Sequence, residues 1–394
     1  MDYKSKSLCK IRTITSFLVL DSDRSAWPLV IKRAVDFCLS LSAQFVNNGY
    51  QVQSMRIVTN PFGEYLNTNN IDSAKVDLAY ISEILNSANA SPLRIRFAIG
   101  EATTPHEIAL LPELIQCYGD LCNACVNISM DDQDVLDNVL IEQAAKTVIN
   151  ISRMTLRGEG NFNFTVNFNC KPLIPYFPAS FHQKKLGNLY VLGLETPDLL
   201  MHVLHEFNEV NIFLDHQHRF KNYYRLMREA LQYHVDLIKK INDDFMATHS
   251  SDFVFAGLDS SAAPSKNCTS MVEIYKQLGV DYFGAAGTVE ASSLLTRVFK
   301  SIKGMPLVGF SGLMLAVTED EGLAQGSIDA DYDIRTLLTN SAVCGIGLDT
   351  VPIPGDTSID KISALMRDTG TLAFRLNKPL TVRLFPVPTC KRVN

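Results

Sequence analysis

The chain has 394 residues, 46% of them hydrophobic and 20% charged, enough apolar material for a sizeable buried core. Its 42 acidic and 36 basic side chains leave a net charge of −6 without a basic block, which argues against nucleic acid or an anionic membrane as partner. No apolar run reaches the roughly 18 residues a membrane span needs, and nine cysteines without framework spacing suit a reducing, cytoplasmic setting.

Taken in chain order, short apolar runs alternate with longer amphipathic patterns. The basic-then-apolar start resembles a signal peptide only superficially, since its apolar part is short and interrupted; Ile11–Leu20 reads as a first strand. A helix over Trp27–Asn47 follows, then a strand over Tyr50–Val58 and a helix over Ile71–Leu85. The alternation continues with strand Arg94–Ile99, helix Thr104–Tyr118, strand Cys122–Ser129, helix Asp131–Arg153 and strand Asn161–Asn169. Strand Leu189–Leu194, helix Pro197–Phe207 and a long helix over His216–Thr248 come next, the last either packed outside the fold or used for a contact between copies. Beyond it the pattern predicts strands at Asp252–Ala256, Leu307–Ala316, Ile346–Val351, Leu372–Leu376 and Leu380–Phe385. Helices at Ser270–Leu278, Val289–Ile302, Tyr332–Thr339 and Ser358–Asp368 lie among them. Such repetition without a Pro/Gly/Ser linker predicts one α/β domain over residues 1–394, built on a large closed or strongly curved sheet of mostly parallel strands.

Chemistry-bearing residues sit at the ends of these runs. CGIGLDTVPIPGDTS (Cys344–Ser358) presents Asp349 at a strand end, stiffens the next residues with two prolines, and offers Asp356, Thr357 and Ser358 as helix caps. Asp356 is the expected cap as well as a substrate-binding candidate. LDSSAAP places Asp259, Ser260 and Ser261 after an apolar run, suited either to a polar ligand or cation or to a plain turn. VGFSGLMLAVTEDEGLA ends in Glu319, Asp320 and Glu321; Glu319 and Asp349 together could hold a divalent cation. PYFPASFH ends in His182, the best-placed histidine for acid–base work, and Cys344 is either a reactive thiol or a small core residue. Arg56 and Arg383, each inside a strand pattern, could clamp a substrate carboxylate. FGAAGT before a helix lacks a full nucleotide fingerprint. Cys117, Cys122 and Cys125 lack a fourth ligand, and His202, His205, His216 and His218 lack metal spacing.

These segments, together with VQSMRI (Val52–Ile57) and LNKPLTVRLFPVP (Leu376–Pro388), occur in an order that resembles the family called domain of unknown function 711. The resemblance covers nearly the whole chain. It implies a ten-stranded α/β barrel like that of glycyl-radical enzymes and ribonucleotide reductase large subunits, with two antiparallel halves of five parallel strands and a loop entering the barrel. It implies no particular reaction. Arg367-Asp-Thr-Gly370 has the Arg-to-Gly spacing of a glycyl-radical loop but not its aromatic residue, and PVPTCKRVN stops where a glycine-bearing tail is expected, so no glycyl radical is expected.

The sequence therefore leads to a soluble barrel acting on a small carboxylate or amino-acid-like metabolite, or binding it without turnover. Asp259, Glu319, Asp349, His182 and Cys344 are the catalytic candidates; Arg56, Ser260, Ser261, Asp356 and Arg383 are the binding candidates.

Overall fold

The computed structural model describes residues 2–88, 95–211, 214–265 and 267–387. Strand β1 (Lys10–Leu18) leads to helix α1 (Trp27–Asn47), β2 (Met55–Thr59), α2 (Ile71–Ser87), β3 (Ile95–Glu101), α3 (Pro105–Tyr118), β4 (Asn123–Ile128), α4 (Asn138–Met154) and β5 (Phe164–Phe168). Every position of β2 and of β5 is buried, as parallel strands covered on both faces require. Helix starts are set locally: Thr104 and Glu107 form a reciprocal capping box behind Pro105 at the head of α3, and Asp137 accepts from two backbone amides of α4.

Next come β6 (Leu189–Glu195), α5 (Pro197–Val210) and α6 (His216–Thr248). They are followed by β7 (Val254–Asp259), α7 (Met271–Gln277), α8 (Thr288–Lys300), α9 (Glu321–Ile328), α10 (Ile334–Ser341), β8 (Gly347–Pro354), α11 (Ile359–Arg375) and β9 (Leu380–Val387). The long α6 buries a stripe that includes Leu226, Met227, Leu231 and Ile238, and packs against α1, α5 and α8.

Nine strands form one mixed sheet in the order β7-β6-β1-β2-β3-β4-β5-β9-β8. The central five run parallel; β6 pairs antiparallel with β1, and β9 antiparallel with β5. β7 and β8 then run parallel to β6 and β9. The flanking pairs thus oppose the central block, so the N-terminal ends of β1–β5 share one end of the sheet with the C-terminal ends of β6–β9.

Two expected strands are corrected. Leu307–Ala316 forms no ladder: Leu307 bridges to Leu258 of β7 and Ala316 bridges to Asp349 of β8, with positive φ at Gly309 (63°) and Ser311 (40°) between them. One segment therefore meets both outer edges of the sheet. Leu372–Leu376 is the last turn of α11, because its apolar residues continue the helical stripe of Ile362 and Met366 rather than a period of two. Gly370 also lies inside α11, against Phe168. The fourth expected helix starts at Asn138 rather than Asp131, since residues 131–136 turn back in a bridge between Met130 and Leu136. Arg94 and residues 388–394, which include the PTCKRVN tail, lie outside the described residues.

Candidate functional site

Asp259 ends β7 with no solvent exposure and takes four hydrogen bonds. The Ser261 amide (3.0 Å) and hydroxyl (2.6 Å) donate to it, as do the amides of Phe310 (2.8 Å) and Ser311 (3.0 Å). The Ser261 hydroxyl in turn accepts from the Gly312 amide, and the Ser260 hydroxyl donates to the Phe299 carbonyl. Burial raises the Asp259 carboxyl above its usual range against the pull of these donors. The chain passes so close that a Cβ at Gly309 would lie 2.2 Å from Asp259 Oδ2, which requires glycine there. Three residues on, Gly312 packs backbone to backbone against Gly345, bringing the VGFSG and CGIG motifs into contact. LDSSAAP is thus the anchor of the 306–319 segment.

That segment delivers Glu319 to a second cluster. β8 carries one extra residue between Leu348 and Val351 relative to β9, a bulge with Thr350 at φ 49°. Around the bulge, the Asp349 carbonyl accepts from the Val317 amide while its side chain turns to β9. There Arg383 donates from Nε to Asp349 Oδ1 (2.7 Å) and from Nη2 to Glu319 Oε1 (2.6 Å). Burial alone would weaken the Arg383 charge, but the two carboxylates outweigh it and hold its pKa above the ordinary value. Burial conversely raises the Asp349 carboxyl despite Arg383 beside it. Glu319 keeps 31% of its side chain exposed, and its Oε2 has no hydrogen-bond partner among the described residues.

Glu319, Asp349 and Arg383 form one wall of a cavity of about 980 Å³. The same lining holds Arg12, Arg56 and Arg96 from the beginnings of β1, β2 and β3, with Arg56 and Arg96 directly paired in register. Tyr176, Phe177, Pro178 and Ala179 of the PYFPASFH loop also line it, and the Arg56 guanidinium lies over the Phe177 ring (5.0 Å) and near that of Tyr176 (5.9 Å). Arg56 is 7% exposed and donates from Nη1 to the Pro175 carbonyl (3.2 Å), but its Nε is buried without a partner among the described residues. Burial, then repulsion from Arg12 and Arg96, pushes its pKa down to about 9, so the charge persists at neutral pH at considerable cost. Neither Arg12 nor Arg56 has a carboxylate within ion-pair distance among the described residues; Arg12 donates to the Gln53 side-chain oxygen instead.

The remaining candidates lie elsewhere. His182 is fully buried beside Phe17, five residues along β1 from Arg12 and outside the cavity lining. Its Nε2 donates to the Gly187 carbonyl, Nδ1 has no partner among the described residues, and burial lowers its pKa. Cys344 is buried and is not part of the cavity lining, its carbonyl accepting from Lys378 Nζ. Asp320, next to Glu319, faces away: it caps α9 and accepts from Ser270 and the Met271 amide. Asp356 is exposed in a separate hollow beside α4, and the cap of α11 is Ser358, which corrects the expected capping role of Asp356. The Glu319–Asp349 pair does not fit a divalent cation, because the Arg383 guanidinium already lies between the two carboxylates. Among the described residues no three His, Cys, Asp or Glu side chains converge as a metal site, and no helix is long and apolar enough to cross a membrane.

Sequence reasoning missed Arg12 and Arg96. Their signal is visible in retrospect: IRT, MRI, IRF and VRL each set an arginine inside an apolar strand, and all four arginines reach this cavity.

Fold and site together define an α/β protein with a mixed sheet and a large arginine-lined cavity at one end of it. The chain belongs to the family Uncharacterised ACR (DUF711), whose pattern matches residues 4–392. A UPF0210 protein of Pyrobaculum aerophilum is 28% identical over 242 residues, covering 60% of this chain and 51% of the relative. One from Desulforudis audaxviator is 27% identical over 320 residues, covering 76% and 67%, and one from Clostridium botulinum strain Alaska E43 is 33% identical over 151 residues, covering 37% and 33%. The chain spans about half the length of the Pyrobaculum aerophilum relative.

Proposed function

We propose that this protein is a soluble, cytoplasmic, single-domain barrel that binds a small carboxylate-bearing metabolite in the arginine-lined cavity. The observation that carries the reading is Arg56: a nine-tenths-buried guanidinium in the cavity lining, with its Nε unpartnered and no carboxylate within ion-pair distance among the described residues. Leaving such a charge uncompensated costs several kcal/mol in general, and a ligand anion would remove that cost. Aromatic faces on the guanidinium leave its edge for a side-on carboxylate. The closed barrel that the family resemblance implies is supported by the two bridges of the 307–316 segment to the sheet edges.

A second reading, turnover of the bound metabolite, rests on Glu319. It is a carboxylate on the cavity wall with an unengaged oxygen, suited to move a proton, and Arg383 would position it. His182 and Cys344 lie off the cavity, so this reading has no acid–base partner from them.

Thermal-shift screening of small carboxylates against wild-type protein and Arg56→Met tests the binding reading. Stabilisation of wild type that is lost in Arg56→Met is expected; equal stabilisation of both would overturn it. Consumption of a binding carboxylate by wild type and not by Glu319→Gln, followed by mass spectrometry, would select turnover.

A further inference from the structure

We infer that the ligand is a zwitterion, with its carboxylate on Arg56 and an ammonium group on Glu319. This inference deepens the carboxylate reading and rests on it. The cavity lining carries groups of both signs. At the strand starts, Arg12 and Arg56 bring two guanidinium groups that no carboxylate of the described chain neutralises. In the same lining, two carboxylates share a single guanidinium: Arg383 binds Asp349 and one oxygen of Glu319. The part of that pair open to the cavity is Glu319, because its side chain is 31% exposed whereas Asp349 is 3% exposed and held by Arg383.

A plain carboxylate would satisfy Arg56 and leave Glu319 Oε2 facing it with like charge. A plain amine would do the reverse. A molecule carrying both groups neutralises Arg56 and Glu319 at once and removes both desolvation costs. Glu319 and Arg56 line the same cavity, and the Glu319 charge contributes to the environment of Arg56. The apolar part of the lining, including Phe310, Met314 and Ile346, suits the carbon skeleton of such a molecule.

Matched ligands test this by calorimetry on the intact chain. Norleucine is compared with hexanoate and pentylamine, and glutamate with glutarate; ε-aminocaproate asks whether the two charges sit close together or far apart. At least one zwitterion is expected to bind about tenfold tighter than its deamino acid. Glu319→Gln should erase that preference by weakening the zwitterion and, with the like charge gone, tightening the acid, and Arg56→Met should weaken both. If the acids bind wild type as tightly as every zwitterion, the zwitterion inference fails and the carboxylate reading stands. If neither acids nor zwitterions bind, both fall. If binding persists in Arg56→Met but not in Glu319→Gln, the ligand is held as a cation, and the carboxylate reading falls with the inference.

Discussion

Arg56 and Arg383 are both 7% exposed, both sit inside apolar strands, and both face the same cavity. Arg383 lies between Asp349 and Glu319, and its pKa is raised. Arg56 has a carbonyl, two aromatic rings and two cationic neighbours, and its pKa is lowered. Equal burial therefore says nothing about role. What separates a structural arginine from one awaiting a ligand is whether the fold itself supplies the counter-charge.

The comparison is open to direct attack. Arg383→Met leaves Asp349 buried and unpaired, so chemical denaturation should show a loss of about 3–5 kcal/mol. A loss near zero would mean that Asp349 simply takes up a proton, and Arg383 is then no more structural than Arg56. Asp259→Asn sharpens the contrast with a buried charge satisfied by four donors rather than by an ion. Asparagine offers one accepting oxygen in place of two, and a loss of about 1–3 kcal/mol is expected, read as a lower denaturation midpoint. Ser358→Ala should cost about 1 kcal/mol as a lost helix cap, whereas Asp356→Ala should stay within about 0.5 kcal/mol. The reverse ranking would restore Asp356 as the structural residue.

A pH experiment isolates a buried group of the other kind. Burial lowers the pKa of His182 in the folded protein, so the unfolded chain takes up that proton first. Its contribution to stability is fully present above the unfolded value of about 6.5 and is lost as pH falls from there towards the folded pKa. His182→Gln should flatten that part of the stability profile; His234, lowered for the same reason, leaves a residue of it. The smallest expected effect belongs to Arg56→Met. Removing an uncompensated charge should leave unliganded stability within about 0.5 kcal/mol of wild type, or raise it. A loss comparable to that of Arg383→Met would erase the distinction.

Strand–helix alternation was legible because β1 to β5 and their helices are regular, and local caps such as Thr104 and Asp137 mark the starts. What failed did so for nameable reasons. Gly309 and Ser311 break an apolar run that otherwise reads as a strand, and the turn they make exists only because Asp259 binds the next amides. Leu372–Leu376 is too short for its period to be read apart from the helix it ends. For the cavity, Arg56, Glu319, Asp349 and Arg383 were nameable from strand-end motifs, but not their grouping. Pairing three of them against the fourth depends on a β8 bulge and on contacts spanning 64 residues, which no local pattern encodes.

The segment that meets both outer strands also bears on how the molecule avoids other copies of itself. β7 and β8 end the sheet, and a bare sheet edge is a template for another chain. Residues 306–317 cover those edges with a few backbone bonds: from Leu258 to Pro306, from Val308 to Leu258 and from Val317 to Asp349. Their grip depends on the turn at Gly309, where any side chain would strike Asp259. Damage at that one glycine would uncover two strand edges together, and its first symptom would be self-association, ahead of any loss of the core.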